Sequence, residues 1–378
     1  MLDMAMRNGN PAMDRPETKG PSPEGAGKPH WIARAARSHS LILVLFSVQL
    51  SAILSFDYYW RVERPSVDRR IALHRDVLDG SAPYEYRYRI LIPKAADLVA
   101  RALQHFGVSS AQPKIVELSY GRDAFGWAYI CLDFLAFFFM LWAGGRLTQE
   151  LFHYPLALFG MALSCLLIDF TFRDHYFHPW SYWEGAFFAL GLLLLYRERY
   201  WSFSAVSMLG IFNRDTSIFL PLAFLFYAFP QPVIKSSLAG LVQRRAFRFA
   251  IGNLIVWLLG FLLLRQVIGY RPPVFSVETA WKGNTDSWPY ALSLNLLLFG
   301  PMWLWVIRGI RMAPVLIRRA AMVVPLYLAV LFVIGYWWEI RYWISILPIL
   351  IPALIAGICK PYVAAASLAS KRDAGYEP

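Results

Sequence analysis

Asp57 closes an apolar run at residues 41–56, and a carboxylate at the mouth of such a run can serve as general base towards a hydroxyl group. The bland reading of Asp57 is an interfacial cap. Arg87 and Arg89 stand in Pro83-Tyr84-Glu85-Tyr86-Arg87-Tyr88-Arg89. Guanidinium forks match phosphate oxygens, so these two suit an anionic ligand or a lipid headgroup equally. Arg173, Asp174, His175 and His178 fall within six residues. The His175/His178 spacing can ligate a divalent cation, although packing among aromatic rings is the more ordinary use. Asn213-Arg214-Asp215-Thr216 interrupts an otherwise apolar run at 201–229, and Glu339-Ile340-Arg341 separates two others. At the centre of a bilayer each charge costs roughly 2.5 to 3.5 kcal/mol, so such residues face a polar cavity or neutralise one another.

The elements that must position them are membrane helices. The 378 residues are 57% hydrophobic and only 16% charged, with mean hydropathy +0.42, which describes an all-α, polytopic membrane protein. The net charge of +12 is spread over short loops between apolar runs. That placement sets topology and touches anionic lipid, and it argues against nucleic acid as a partner. Cys131, Cys165 and Cys359 each sit in an apolar stretch without metal-ligand spacing and read as core residues.

Residues 1–37 read as a disordered basic cytoplasmic tail, 38–360 as the transmembrane domain, and 361–378 as a second cytoplasmic tail. Spans are expected near 41–56, 125–141, 151–168, 182–196, 249–268, 290–307, 320–338 and 342–358. With the run at 201–229 taken as two half-spans meeting at a polar tip, the total is about nine. Basic residues between the runs place both termini on the cytoplasmic side. The first extracytoplasmic loop, 57–122, predicts two short helices. One opens at Pro65-Ser66 and ends at Gly80; the other is amphipathic, runs from Pro93 to Gly107, and lies on the bilayer. Between them the alternation of aromatic and charge predicts an extended segment with Arg87 and Arg89 on one side.

This topology gathers the unusual polar residues on the non-cytoplasmic face, which predicts one wet site that the long loop covers. Asp57, the Pro-Tyr-x-Tyr-Arg-Tyr-Arg-Ile-Leu-Ile-Pro loop sequence, the Asn-Arg-Asp-Thr tip and the late Glu-x-Arg together resemble bacterial multi-span proteins related to the GT-C class of glycosyltransferases. The resemblance covers roughly residues 41–358. It implies transfer of a sugar from a polyprenyl-phosphate donor at the outer face of the inner membrane. Asp57 would be the base, with Asp76 or Asp79 as the alternative. Arg87, Arg89, Arg173, His175, Asn213, Arg214, Asp215, Glu339 and Arg341 would bind substrate. No metal or other cofactor is required by these residues, although a divalent cation is compatible with them. A different class of reading is a transporter or flippase of an anionic envelope lipid, since broken hairpins at membrane depth also serve transport. A third is a membrane scaffold without catalysis.

Overall fold

A computed structural model describes residues 30–107, 124–174, 178–229, 244–269 and 277–359; side chains are described for these except at 30–37, 67, 68, 84, 85, 174 and 298. The expected tails at 1–29 and 361–378 lie outside the described residues. The chain divides into two units, 1–41 and 42–378. Of the first, the described part is helical from His30 onward, eight residues inside the stretch expected to be disordered.

Every regular element among the described residues is helical. Among the described residues six stretches are long and apolar enough to cross a membrane: Ser38–Ser66, Ala124–Leu151, Tyr154–Thr171, Arg245–Ile268, Val315–Ile334 and Ile340–Ile358. A seventh is the pair Trp288–Leu297 and Met302–Met312, bent by 70°.

Helix α1 (His30–Tyr58) does not end at Asp57 as expected. It passes into a π-helical turn, Tyr59–Glu63, and a 3-10 turn, Arg64–Ser66. Asp57 is ion-paired along the helix, with Arg61 one turn on 2.9 Å away, so the charge does not force the chain out. Pro65 ends the run, and α2 (Val67–Leu78) follows, closed by Gly80 at φ +69°. The segment expected to be extended is instead a short helix, α3 (Tyr84–Arg87). Pro83 supplies the fixed φ that starts it, and the Pro83 carbonyl accepts hydrogen bonds from Tyr86 and Arg87, both at 3.0 Å. Helix α4 (Leu91–His105) is amphipathic as expected. Its Ile92, Pro93, Ala96 and Ala100 face is buried, whereas Leu98 and Phe106 are exposed.

The core is built on α5 (Ala124–Leu151), α6 (Tyr154–Thr171) and α7 (Pro179–Tyr196). Helix α7 is buried nearly all round, as a helix apolar on every side must be. An aromatic cluster joins α1 to it: the Tyr58 ring is 5.0 Å from Tyr182 and 5.2 Å from Phe172. Cys131 departs from expectation by lying exposed on α5.

The run at 201–229 is a hairpin. Its arms, α8 (Tyr200–Ile211) and α9 (Phe219–Ala228), have 12 and 10 residues. At 1.5 Å per residue neither reaches the roughly 30 Å of a bilayer core. The Phe203 and Phe224 rings, 4.9 Å apart, hold them side by side. Then come α10 (Arg245–Ile268), α11 (Val277–Asp286), α12 (Trp288–Phe299), α13 (Met302–Met312), α14 (Val315–Ala320), α15 (Val323–Ile334), the 3-10 segment Ile340–Ile346, and α16 (Leu347–Ile358). Helices α13 and α16 cross at Gly309 and Gly357. A Cβ built on Gly309 would fall 1.8 Å from the Ala353 carbonyl oxygen, and one on Gly357 2.1 Å from that of Trp305. The backbones touch because neither residue has a side chain.

Candidate functional site

Three polar centres stand among the described residues. The first surrounds the hairpin tip. After α8 the chain turns through Phe212 and Asn213 into an extended Arg214 and the 3-10 turn Asp215–Ile218. The Asn213 side-chain amide donates to the Trp180 carbonyl at 2.9 Å, and the Leu91 backbone N–H donates to the Phe212 carbonyl at 3.0 Å. Arg214 is directed inward. Its Nη1 donates to Ser181 Oγ and to Glu184 Oε2, each at 3.1 Å, and its guanidinium lies 4.6 Å from the Tyr342 ring centre. Asp215 faces away and accepts from Arg265 at 2.8 Å. Arg214 and Asp215 therefore do not neutralise each other, whereas Glu339 and Arg341 do, at 2.6 Å.

Arg89 belongs to this centre. Its guanidinium sits 5.0 Å from the Tyr86 ring and 5.5 Å from that of Trp180, whose indole N–H donates to the Arg89 carbonyl at 3.1 Å. Burial first, and the Arg214 charge second, hold the Arg89 guanidinium down to about 10. Two like charges in one partly desolvated place are the condition an anion would relieve. Arg87 points elsewhere, donating from Nη2 to the Ile268 carbonyl at 2.6 Å; its Nε and Nη1 have no hydrogen-bond partner among the described residues.

Asp57 lines a second centre. Arg61 bridges it to Asp169 on α6, with Nε 2.9 Å from Asp57 and Nη1 3.7 Å from Asp169. These groups form the polar end of a groove of about 590 Å³ whose walls include Ile53, Phe56 and Leu166. Those three side chains are exposed, as lipid-facing residues of a membrane protein are. Arg173 lies beside it, 4.5 Å over the Phe170 ring. Tyr58, the residue after Asp57, connects the two centres. Its hydroxyl accepts the His178 backbone N–H at 3.2 Å, and the His178 ring stacks on Tyr86 at 6.0 Å.

The third centre is one that the spacing of residues did not reveal. Glu63, Arg70 and Asp133 are all buried, with Arg70 Nη1 3.3 Å from Glu63 Oε2. Both Asp133 oxygens and Glu63 Oε1 find no donor among the described residues, so this centre holds more acceptors than donors. Next to them, His74 Nδ1 is 3.0 Å from the Tyr129 hydroxyl, and a pocket of about 290 Å³ opens, lined also by Asp79, Asp97 and Arg75. A lone Asp inside the apolar run of α5 was the available signal. Glu63 and Arg70 were hidden because the helix was expected to end before them.

The expected single site is thus distributed. Arg89, Asn213, Arg214, Glu339 and Arg341 gather at the tip, with Arg87 and Asp215 at its edge beside α10. Asp57 lies in the groove, Asp79 lines the third pocket, and Asp76 accepts from Ser81 in the turn after α2. His175 lies outside the described residues. No group of three or more His, Cys, Asp or Glu side chains among the described residues is placed to hold a metal ion. No protein-family model, no curated protein and no solved structure matches this chain.

Proposed function

We propose that this chain is an integral membrane glycosyltransferase of the GT-C kind, transferring a sugar from a polyprenyl-phosphate donor at the outer face of the bacterial inner membrane. In this reading it has about nine spans, the hairpin counted as one, and both termini are cytoplasmic. The observation that carries the proposal is the groove at Asp57: two carboxylates and an arginine at one end, lipid-facing walls at the other. That is the shape of an amphiphile with a charged head, and a membrane-borne sugar phosphate is one.

The acceptor hydroxyl attacks the anomeric carbon, and Asp57 takes its proton as the new C–O bond forms. The bond from the anomeric carbon to the phosphate oxygen breaks, and its electron pair leaves with the lipid phosphate. Arg61, beside Asp57, neutralises that growing charge. Asp169 keeps Arg61 in place from the far side.

The test is transfer from a synthetic polyprenyl-phosphate sugar by purified, reconstituted protein. Asp57→Asn is expected to slow transfer by about 100- to 10,000-fold, the usual worth of a general base. Undiminished transfer by that variant removes Asp57 from the role. A second reading, transport of an anionic lipid, is favoured by the buried tip between two half-length arms. Movement of the lipid between leaflets without covalent change would select it.

A further inference from the structure

We infer that the protein carries a dedicated binding site for a two-chain anionic phospholipid, in the pocket between the start of α8 and the first turns of α10. The inference is independent of the reaction proposed above. The pocket measures about 560 Å³ and is lined by Trp201, Arg245, Arg248, Phe249, Asn253 and Val256 among others.

Charge supplies the first argument. Arg61, Arg70, Arg197, Arg214, Arg265 and Arg341 each have a carboxylate within 4 Å. Arg245 and Arg248 have no such carboxylate among the described residues; Arg245 has only the faces of Tyr200 and Phe249, 5.9 and 5.8 Å away. Both arginines stand in the first turn of a 24-residue helix, where the unpaired backbone N–H groups add positive potential. An anion is the partner whose oxygens these two guanidinium groups would take.

The walls say that the anion carries chains. Trp201 is 74% exposed and packs edge-on against Phe249 at 5.1 Å, as a ring at the headgroup level does. Beyond it α10 presents Ile255, Val256 and Leu259 to the outside. A Cβ on Gly252 would meet nothing within 4 Å, so there is room for an acyl chain along the helix.

Asn253 is the independent sign of a ligand. It is 4% exposed, lines the pocket, and its carbonyl oxygen has no partner among the described residues. A buried amide without a partner is unfavourable unless something fills its hydrogen bond. Asn253 lies five residues beyond Arg248, roughly 7.5 Å deeper along the helix. With a phosphate at the two arginines, that is the level of the glycerol esters, which accept only, so the Asn253 amide meets them with its N–H groups once its side chain is turned about χ2.

The experiment is native mass spectrometry of the full chain in mild detergent, titrated with phosphatidylglycerol, phosphatidylcholine or inorganic phosphate. Phosphatidylglycerol is expected to bind well above phosphatidylcholine. Arg245→Gln with Arg248→Gln should weaken it about thirtyfold, the equivalent of about 2 kcal/mol for two interfacial charges. Asn253→Leu should weaken it about fivefold. Arg308→Gln with Arg311→Gln, which removes equal charge from α13, should leave binding unchanged. An equal loss in that control, equal binding of the two lipids, or full displacement by inorganic phosphate would each overturn the site.

Discussion

The Arg214 guanidinium lies 3.1 Å from the Glu184 carboxylate, with Arg214 6% and Glu184 0% exposed, so the hairpin tip and the second turn of α7 share a desolvated ion pair. Removing one partner strands the other. Glu184→Gln and Arg214→Met are each expected to destabilise the protein by about 3 to 5 kcal/mol, and the double substitution by clearly less than the sum. Thermal unfolding in detergent measures the cycle; additive losses would mean that the pair is not coupled.

At the third centre the two acids are expected to respond with opposite sign to their arginine. Asp133→Asn removes surplus negative charge and supplies an N–H to Glu63, so stability should hold or rise. Arg70→Met leaves Glu63 without the cation that pairs with it and should cost about 3 to 5 kcal/mol. The same melting assay decides the matter, and a large loss in Asp133→Asn would refute a surplus of acceptors at this centre.

The crossing of α13 and α16 has no room for a methyl group. Gly309→Ala brings a carbon against the Ala353 backbone, which cannot rotate aside as a side chain would. A loss of about 1 to 3 kcal/mol is expected from the helices moving apart, with Gly309→Leu worse still. Gly144→Ala, where a Cβ meets nothing within 4 Å, is the neutral comparison in the same unfolding experiment.

Arg89 gives a pH dependence. Its folded guanidinium titrates at about 10, below the ordinary 12.5, so the unfolded chain binds the proton more tightly. The contribution to stability is complete only above the unfolded value and is lost as pH falls through about 10. Below that pH the buried charge works against the fold. Arg89→Gln should therefore melt higher than wild type at pH 8, and the gap should narrow by pH 11. A constant gap would assign the effect to packing on Tyr86 and Trp180.

Much of the helical plan was legible from residue order. The hairpin followed from charges inside an apolar run too long for one span, and Gly80 and Gly107 end their helices with positive φ. Pairing was less legible, because it depends on what lies across the bundle. Arg214 is extended, at φ −166° and ψ 146°, so it and Asp215 project to opposite sides and find Glu184 and Arg265. The single site failed to assemble for a similar reason: α1 continues past Asp57, which leaves the acids of one sequence stretch facing different neighbours.

The π-helical turn Tyr59–Glu63 sets that divergence, with the Arg64 N–H reaching back five residues to the Tyr59 carbonyl. It holds one residue more than ordinary winding needs. Excising Val62 would shift Glu63 and Arg70 together relative to Asp57 and Asp133, while keeping the four-residue spacing from Asp57 to Arg61. Two acidic centres on one helix are thus kept out of phase by an insertion, and their relative bearing can be altered by changing chain length without touching either acid.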